Sequence, residues 1–533
     1  AEAVPVFGYP GAVAFEHLLG TGEAVRADVG LGLFFQFNDG ESANVLERVG
    51  IPVLNLVSLY GRSEEEWLSS TSGLSAFEGT FNLASPELAG TIAPTVVGTK
   101  EKRRDPATGL SSVITSPIRE RVEIAVSRGL RYAELARKAN ADKKVALIYY
   151  NYPPGKANIG ASYLNVAETL ANVLERMAAE GYDIGGAPPS ADEVLSEITT
   201  RGRNIAGHAP GELEALIAEG GVQRLPVSDY RQWLDALEPS LRDKILKDWG
   251  DPAESDLMVE RRPGEANLII PAVEYGNVLL MPQPSRAWGE DLEKLYHAKD
   301  LAPQHQYVAA YAWLRDGFEA DAVVHVGTHG TLEWLDGRDA GLGPDDASDA
   351  LIADLPNAYI YNVDVVGEGL VARRRSMATL VDHMVPPFVE GGLSEDLARL
   401  SGLLNDHIQN EGKNAQLAAL YGRQARDAAV ELGVAKDLGL DPEAEWTDEQ
   451  LHSVETYLIE LRGQIIPFGL HAFGRVPEPD AVESTVRAIA AVDRSALPDA
   501  VAVFEDEMRK RILVSGPREL DGLMKALGGR FVP

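Results

Sequence analysis

Hydrophobic and polar positions alternate along this chain in blocks that are typical of strands and helices. Residues 144–152 (KVALIYYNY) form a continuous apolar, β-branched run, which predicts a buried strand. After a polar loop, residues 163–184 place apolar side chains at three- and four-residue spacing, as an amphipathic helix does. Residues 31–59 show the same order of strand, helix and strand. The pattern predicts an α/β protein with several doubly wound, Rossmann-like parallel-sheet units.

The rest of the chain continues this pattern and then changes to helices. Residues 266–284 predict two short strands around a glycine turn, residues 307–318 a helix, and residues 321–327 another buried strand. We therefore predict four parts: an α/β domain over 1–143, one or more α/β domains that carry the functional site over 144–384, a helical segment over 385–465, and a small mixed segment over 466–533.

The composition limits the chemistry. The chain has 49 Lys and Arg against 81 Asp and Glu, and its formal charge of −32 repels nucleic acid and anionic lipid. It has no cysteine, which excludes disulfides, thiolate metal sites, iron–sulfur clusters and cysteine nucleophiles. Any metal must therefore bind His, Asp, Glu or backbone oxygen. The sequence contains no apolar run of about 18 residues that would predict a membrane span.

The strongest local pattern is DAVVHVGTHGTLEWLDG, residues 321–337, in which His325, His329 and Glu333 recur every four residues. The intervening glycines favour a strand, a tight turn and a helix start over one continuous helix, which places the three side chains at the carboxyl end of a parallel strand. Two imidazoles and a carboxylate can bind a divalent metal or transfer protons near neutral pH. The alternative interpretation is one packed core histidine and one that caps a helix.

A second pattern is the loop NYPPGKANIG at 151–160, between the predicted strand and helix. Its rigid Pro-Pro entry, its glycines and the helix start after it predict an anion-binding loop in which Tyr152, Lys156 and Asn158 contact a ligand. An ordinary strand-to-helix connection fits equally well. Because GxxxxGK[ST] occurs nowhere, any ATP hydrolysis would require a separate protein.

Two further groups could contact a ligand. One mixes aromatic and polar side chains after the predicted strands, and a packed core would explain its aromatic residues equally well. The other is the run 373–375, where three arginines form either a positive site for carboxylates or a solvated face with one internal salt bridge. The candidates from these groups are Tyr275, Gln283, Arg286, Trp288, His305 and Arg374.

Six stretches of the chain resemble the large subunit of class I tetrapyrrole metal chelatases, a family that includes the CobN-type cobaltochelatase subunit and the magnesium chelatase H subunit. They are YNYPPGKANIGASYLNVAETLANVLERMAAEGYDI, YGNVLLMPQPSRAW, HAKDLAPQHQYVAAYAWLR, HVGTHGTLEWLDGRDAGLG, YNVDVVGEGLVARRRSMATLVDHMVPP and GQIIPFGLHAFGRVPE. The motifs EWLDG and VDHMVPP are more similar to those of the CobN type. Such subunits are much longer than this chain, which leaves open whether it is a fragment or one part of a split subunit.

The resemblance implies insertion of cobalt(II) into a corrin precursor in cobalamin biosynthesis, with AAA+ ATPase and associated chelatase subunits as partners. Glu333 would take protons from the inner nitrogens of the ring, with His325 and His329 assisting, and these three residues would also bind the metal. Imidazole and carboxylate ligands suit cobalt better than magnesium. The resemblance further implies carboxylate anchors at Lys156, Arg286 and Arg374, and ring contacts from Tyr152, Tyr275 and Trp288.

Other functions fit the same residues. They are a CobN-like haem dechelatase that removes iron, a subunit that makes magnesium protoporphyrin, a non-catalytic tetrapyrrole carrier or sensor, and a solute-binding protein of periplasmic type. The last one leaves the paired histidines unexplained. We expect a cytoplasmic protein, with the periplasm as the alternative.

Overall fold

The structure, a computed structural model, describes residues 1–6, 8, 14, 16–17, 20, 25–34, 40–151, 159–205, 211–286, 301–328, 330–362, 365–387, 395–410, 414–463, 468–492 and 498–528. Internal contacts divide the chain into two units. The first unit comprises residues 1–384, 472–474 and 517–533, and the second comprises residues 385–471 and 475–516. The domain boundaries that the sequence suggests stay a prediction.

The first unit begins with a four-stranded sheet in the order β1-β2-β3-β4. Strands β1, β2 and β3 are parallel, and β4 returns antiparallel to β3. The parallel pair β1 and β2 confirms the strand–helix–strand pattern of residues 31–59. The elements are β1 (Gly30–Leu33), α1 (Gly40–Val49), β2 (Val53–Ser58), α2 (Glu64–Leu68), α3 (Ala76–Glu78), α4 (Ser85–Leu88), β3 (Ile92–Arg104), β4 (Ser111–Pro117) and α5 (Arg119–Arg137).

The next segment supplies the first strand of a second sheet and a small antiparallel sheet of order β6-β8-β7. Its elements are β5 (Val145–Tyr149), α6 (Val166–Ala179), α7 (Ala191–Thr200), α8 (Glu212–Glu219), β6 (Val222–Pro226), α9 (Val227–Asp235), α10 (Pro239–Trp249), β7 (Val259–Arg262) and β8 (Glu265–Pro271). Strand β5 lies inside the apolar run of residues 144–152 and is buried along its whole length.

The second sheet has six strands in the order β13-β12-β11-β5-β10-β9, and only β9 is antiparallel to its neighbour. Its later elements are β9 (Val273–Tyr275), β10 (Val278–Pro282), α11 (His305–Asp316), β11 (Ala322–Val326), α12 (Ala347–Ile352), β12 (Asn357–Tyr361), α13 (Val366–Arg375) and β13 (Ala378–Asp382). The chain places β10 on one side of β5 and β11 on the other, so the sheet is doubly wound and its switch point lies between β5 and β11.

Both faces of this sheet are covered. Odd-numbered residues of β5, such as Leu147, pack in the same cluster as Leu170 and Leu174 of α6. Even-numbered residues, such as Ile148, pack on the opposite face with Tyr311 of α11. A strand buried on both faces needs apolar side chains at every position, which explains its continuous apolar sequence.

The second unit is helical, as the sequence predicts for 385–465. Helices α14 (Glu395–Asn410), α15 (Ala415–Glu431), α16 (Val434–Asp437) and α17 (Asp448–Gly463) surround a core that includes Leu400, Leu404 and Val454. Helices α18 (Pro479–Val492) and α19 (Pro498–Leu513) follow, whereas most of α20 (Ser515–Ala526) belongs to the first unit.

The described residues of 466–533 form helices, and the small mixed segment that the sequence suggests there stays a prediction. Val482 and Val486 are buried four residues apart in α18, which is a helical spacing. No described helix combines the length and the apolar character that a membrane span requires.

Candidate active site

The candidate site lies where the carboxyl ends of β5 and β11 meet at the switch point. Val326 of β11 lies opposite Tyr149 of β5, and the backbone N–H of Ser162 donates to the carbonyl oxygen of Thr328 at 2.9 Å. Gly327 ends β11 with a φ of +90°, and a Cβ at this position would lie 2.0 Å from the Cβ of Ala161. Glycine is therefore required here both by its backbone conformation and by the close approach of the neighbouring loop.

His325 is a buried, neutral histidine. Asn357 uses its amide N–H to bind the carbonyl oxygen of Ser376 at 2.8 Å, so its Oδ1 faces His325 and accepts the Nδ1–H at 2.9 Å. The other ring nitrogen, Nε2, accepts the hydroxyl of Tyr311 at 3.0 Å. Burial lowers the pKa of His325 to about 4, against the smaller effect of the Asn357 hydrogen bond. A metal ion could bind Nε2 only by replacing the Tyr311 hydroxyl.

A buried polar network extends from His325 along α11. The amide nitrogen of Gln283, just after β10, donates to the hydroxyls of Tyr307 at 2.8 Å and Tyr311 at 3.1 Å. The Tyr307 hydroxyl also lies 2.8 Å from Oγ1 of Thr331. Tyr307 and Tyr311 are one helical turn apart, and their rings stack at 5.5 Å between centroids. Because Asn357 and Tyr311 hold both ring nitrogens of His325, the network fixes this side chain in one orientation.

Glu333 lies in a single 3₁₀ turn, Leu332–Trp334, soon after β11, and its side chain is fully buried. Burial raises the pKa of its carboxyl to about 7, and hydrogen bonds from its own backbone N–H and from Tyr359 reduce this effect only in part. Its Oε2 has no hydrogen-bond partner in the part of the chain that the structure describes. A buried carboxyl that titrates near neutral pH can both accept and release a proton there.

Tyr359 of β12 connects the two candidates. Its hydroxyl accepts the backbone N–H of Gly330 and donates to Oε1 of Glu333 at 3.1 Å. Its ring lies against His325, with 5.1 Å between the ring centroids. A Cβ at Gly330 would come within 2.6 Å of the Tyr359 hydroxyl, so the second glycine of the motif keeps room for this contact. The structure thus brings His325 and Glu333 to opposite sides of one tyrosine.

Three other predicted residues are engaged by the protein itself. His305 begins α11, and its two ring nitrogens contact the Tyr230 hydroxyl at 2.9 Å and the Gly250 carbonyl oxygen at 3.0 Å. Arg374 forms an ion pair with Glu87 at 2.6 Å. Arg286 is buried just after Gln283. His305 and Arg374 therefore have partners within the fold, and their roles in binding a ligand stay predictions.

Tyr275 lies apart from the site. It pairs with Val278, the first residue of β10, because β9 and β10 form an antiparallel hairpin. His325 lies instead near the carboxyl ends of β5, β10 and β11, the opposite edge of the sheet. Tyr275 and His325 therefore lie at opposite edges of the sheet, and the ring contact predicted for Tyr275 stays a prediction. The remaining candidates, Tyr152, Lys156, Asn158, Trp288 and His329, lie outside the described residues.

Within the described residues, no three His, Asp or Glu side chains lie close enough together to hold a metal ion. The predicted metal ligands are His325, His329 and Glu333. Because His329 lies outside the described residues, this finding covers only two of the three.

The sequence analysis missed the residues that hold the two candidates, namely Tyr307, Tyr311, Asn357 and Tyr359. Two signals were present. Tyr307 and Tyr311 are four apart in an otherwise apolar helix, and Asn357 and Tyr359 alternate on a buried strand. Buried hydroxyl and amide groups need partners, so such positions predict a polar network across the sheet.

The chain is similar to known proteins over most of its length. A family model described as CobN/Magnesium Chelatase matches residues 3–510. The aerobic cobaltochelatase subunit CobN of Sinorhizobium sp is 30% identical over 452 residues, which cover 84% of this chain and 34% of that protein. The magnesium-chelatase H subunit of Rhodobacter capsulatus is 30% identical over 521 residues, which cover 93% of this chain and 39% of that protein.

A solved structure extends the comparison to the fold. The catalytic subunit of cobaltochelatase from Mycobacterium tuberculosis matches with a TM-score of 0.63 and 26% identity, over 98% of this chain and 48% of that one. The fold and site thus define a doubly wound α/β protein with a buried acid in the loop after β11, beside Tyr359 of β12. The chain belongs to the CobN/magnesium chelatase family, as its sequence motifs predict, and it spans about half or less of the length of these relatives.

Proposed function

We propose that this chain is part of the large, tetrapyrrole-binding subunit of an ATP-dependent metal chelatase that inserts cobalt(II) into a corrin precursor. Family membership supports a metal chelatase, and similarity to both cobalt and magnesium subunits supports a tetrapyrrole as the substrate. The buried carboxyl of Glu333 is the observation that carries the chemical part of the proposal, because metal insertion requires a base at the ring.

Glu333 would be that base. The inner nitrogens of a tetrapyrrole must lose protons before they bind a metal, and a carboxyl with a pKa of about 7 is available as a base at physiological pH. The hydrogen bond from Tyr359 fixes the orientation of Oε1, whereas Oε2, which is buried, has no partner among the described residues and would be the atom that accepts the proton. In this proposal His325 acts as a positioning residue, because its two nitrogens already bind Asn357 and Tyr311.

The metal is a substrate in this proposal, and Glu333 with His329 would bind it during transfer. Carboxylate and imidazole ligands favour cobalt(II) over magnesium, which prefers oxygen and water. Lys156 and Arg286 are the proposed anchors for the ring carboxylates. Arg374 could bind a ring carboxylate only if its ion pair with Glu87 were broken. The ATP-driven step is assigned to an AAA+ partner, because the sequence has no Walker A loop.

A metal insertion assay tests the proposal. The large subunit is combined with its ATPase partners, a corrin precursor and cobalt(II), and Glu333→Gln is compared with wild type. We expect the variant to lose at least about a hundredfold in turnover while it still binds the ring, because general base catalysis contributes on the order of 10²–10⁴-fold. Glu214→Gln, on an exposed helix surface, is the matched control and should keep wild-type turnover.

The same assay separates the alternatives. Relatives of the magnesium type are as similar in sequence as those of the cobalt type, so protoporphyrin with magnesium is tested in parallel. Anaerobic release of porphyrin from haem would instead identify a dechelatase. Tight ring binding without any insertion would identify a carrier, and undiminished turnover of Glu333→Gln would remove Glu333 from the mechanism.

A further inference from the structure

Strands β3 and β4 continue beyond the four-stranded sheet as a two-stranded arm. The ladder between β2 and β3 ends at the pair Ser58 and Gly98, whereas β3 and β4 stay paired as far as Arg104 and Ser111. We define the arm as residues 99–104 and 111–116. Both of its strands are largely exposed, including Val113 at 58%. The backbone N–H of Gly61 still donates to the carbonyl oxygen of Lys100 at 2.7 Å, and the arm is two-stranded beyond that point. An isolated two-stranded ribbon is only marginally stable, so this exposed end suggests a partner.

One face of the arm is positively charged. Alternate residues of a strand share a face, so Lys100, Lys102 and Arg104 lie together. Their cross-strand neighbours Thr115, Val113 and Ser111 carry no charge. None of the three cations forms an ion pair with a carboxylate in the part of the chain that the structure describes. Lys100 lies 5.1 Å from the centroid of the Tyr60 ring.

Among the residues that the structure describes, the outer edge of β4 offers free backbone groups next to this face. The backbone N–H of Asp105 donates to Leu110, and the N–H of Ile118 donates to Val97. In an antiparallel ladder the hydrogen-bonded pairs alternate with non-bonded ones. The bonded pairs 105–110 and 97–118 therefore show which pairs between them are hydrogen-bonded and which are not. Ser111, Val113 and Thr115 therefore direct their N–H and C=O groups outward. Strand β4 (SSVITSP) has neither a charge nor an internal proline that would block addition of another strand.

We propose that the arm is a docking surface for an extended acidic segment of a partner protein, which adds as a strand to the edge of β4. Its backbone would pair with Ser111, Val113 and Thr115, and its carboxylates would face Lys100, Lys102 and Arg104. An extended polypeptide fits because only a polypeptide can use the free backbone groups. Nucleic acid and anionic membranes fit less well, because such large polyanions are also repelled by the rest of the chain, whose formal charge is −32. A short peptide is affected mainly by charges within the Debye length of about 8 Å.

A peptide-binding experiment on the whole chain tests this. The probe is a fluorescein-labelled octapeptide of alternating glutamate and valine, followed by fluorescence anisotropy at physiological salt. We expect binding to wild type and no binding of peptides with lysine in place of glutamate or proline in place of valine. Lys102→Glu should weaken binding about fivefold or more, because it replaces one exposed ion pair with a repulsion.

Two matched variants distinguish strand addition from simple charge attraction. Arg103→Glu makes the same charge change on the opposite face of the arm and should alter binding less than about twofold. Val113→Pro removes an outward N–H at an edge position where proline is tolerated, and it should abolish binding. Amide hydrogen exchange should show protection of Val113 and Thr115 when the peptide binds.

Three results would overturn the proposal. They are the absence of binding to the glutamate–valine peptide, an equal loss with Arg103→Glu and Lys102→Glu, and preferential binding of a 20-base-pair DNA duplex or of phosphatidylserine vesicles.

Discussion

Glu333 and His325 are buried beside the same tyrosine, yet their pKa values move in opposite directions. Burial disfavours the charged form of each group, which raises the pKa of the acid to about 7 and lowers the pKa of the imidazole to about 4. At physiological pH the site therefore holds a neutral histidine and an acid close to its midpoint. The single titrating group near neutral pH in this pair is Glu333.

The raised pKa of Glu333 makes its contribution to stability depend on pH. The folded protein binds this proton more tightly than the unfolded chain, so the contribution is present below pH 4.5 and is lost as the pH rises to about 7. At 1.36 kcal/mol per pKa unit, the loss is roughly 3 kcal/mol. Glu333→Gln removes it, so urea unfolding should show the variant gaining about 3 kcal/mol relative to wild type between pH 4.5 and pH 8.

The exposed variant Glu214→Gln should show no such gain. An effect of Glu333→Gln that is equal at both pH values would mean that this carboxyl does not carry the raised pKa.

Tyr359→Phe tests the hydrogen bond between Tyr359 and Glu333. The Tyr359 hydroxyl stabilises the carboxylate through the hydrogen bond to Oε1, so its removal should raise the pKa of Glu333 further, by about half a unit to one unit. We expect the pH–rate profile of metal insertion to move to higher pH by that amount. The titration midpoint of the infrared carboxyl band of Glu333 should move by the same amount. Tyr361→Phe is the control, because its hydroxyl binds nothing among the described residues. Equal shifts for both variants would rule out a specific role for Tyr359.

At the scale of elements, Gly327 joins β11 to the loop that carries Glu333. An alanine there would meet Ala161 and would need a positive φ, so Gly327→Ala should destabilise the protein by about 2 kcal/mol or more. Gly367 lies in α13 without any atom within 4 Å of an added Cβ, so Gly367→Ala should be neutral or slightly stabilising. Thermal unfolding of the two variants checks this, and equal melting temperatures would contradict it.

The sequence predicted individual elements better than the contacts between them. The apolar runs of β5 and β11 and the spacing of α6 are local signals, and each element formed where its pattern lies. His325 and Glu333 were also found locally, because they belong to one motif. Tyr359 could not be placed beside them, because its position depends on the register between β11 and β12, which arises from pairing across more than thirty residues. The end of the sheet at which Tyr275 lies could not be predicted for the same reason, since only the β9–β10 hairpin shows it.

At the scale of the whole molecule, a buried charge cluster joins the N-terminal sheet layer to the layer of the site. Asp349 of α12 accepts hydrogen bonds from Arg121 at 2.6 Å and Arg128 at 2.7 Å, both on α5. The two arginines hold the pKa of Asp349 below its usual value despite burial. Loss of this carboxylate would leave two buried cations without their partner.

We therefore expect Asp349→Asn to cost about 3–5 kcal/mol in the free energy of unfolding. The cost should shrink at acid pH, because the lowered pKa means that the contribution of Asp349 is lost as the pH falls through it. Asp256→Asn is the control, since its carboxylate is 93% exposed and lies 4.0 Å from Arg261. Chemical denaturation at pH 7 checks the prediction, and similar costs for the two variants would contradict it.

The network around Tyr359 also has a consequence for biosynthesis of the protein. Its side chains come from residues 283, 311, 325, 333 and 359, and they meet only after β10, β5, β11 and β12 have paired. Contacts so distant along the chain form late in folding compared with local ones. A nascent chain that has not yet emerged beyond β12 therefore lacks the Tyr359 hydroxyl, and Glu333 cannot take up its buried, hydrogen-bonded position before these strands have assembled.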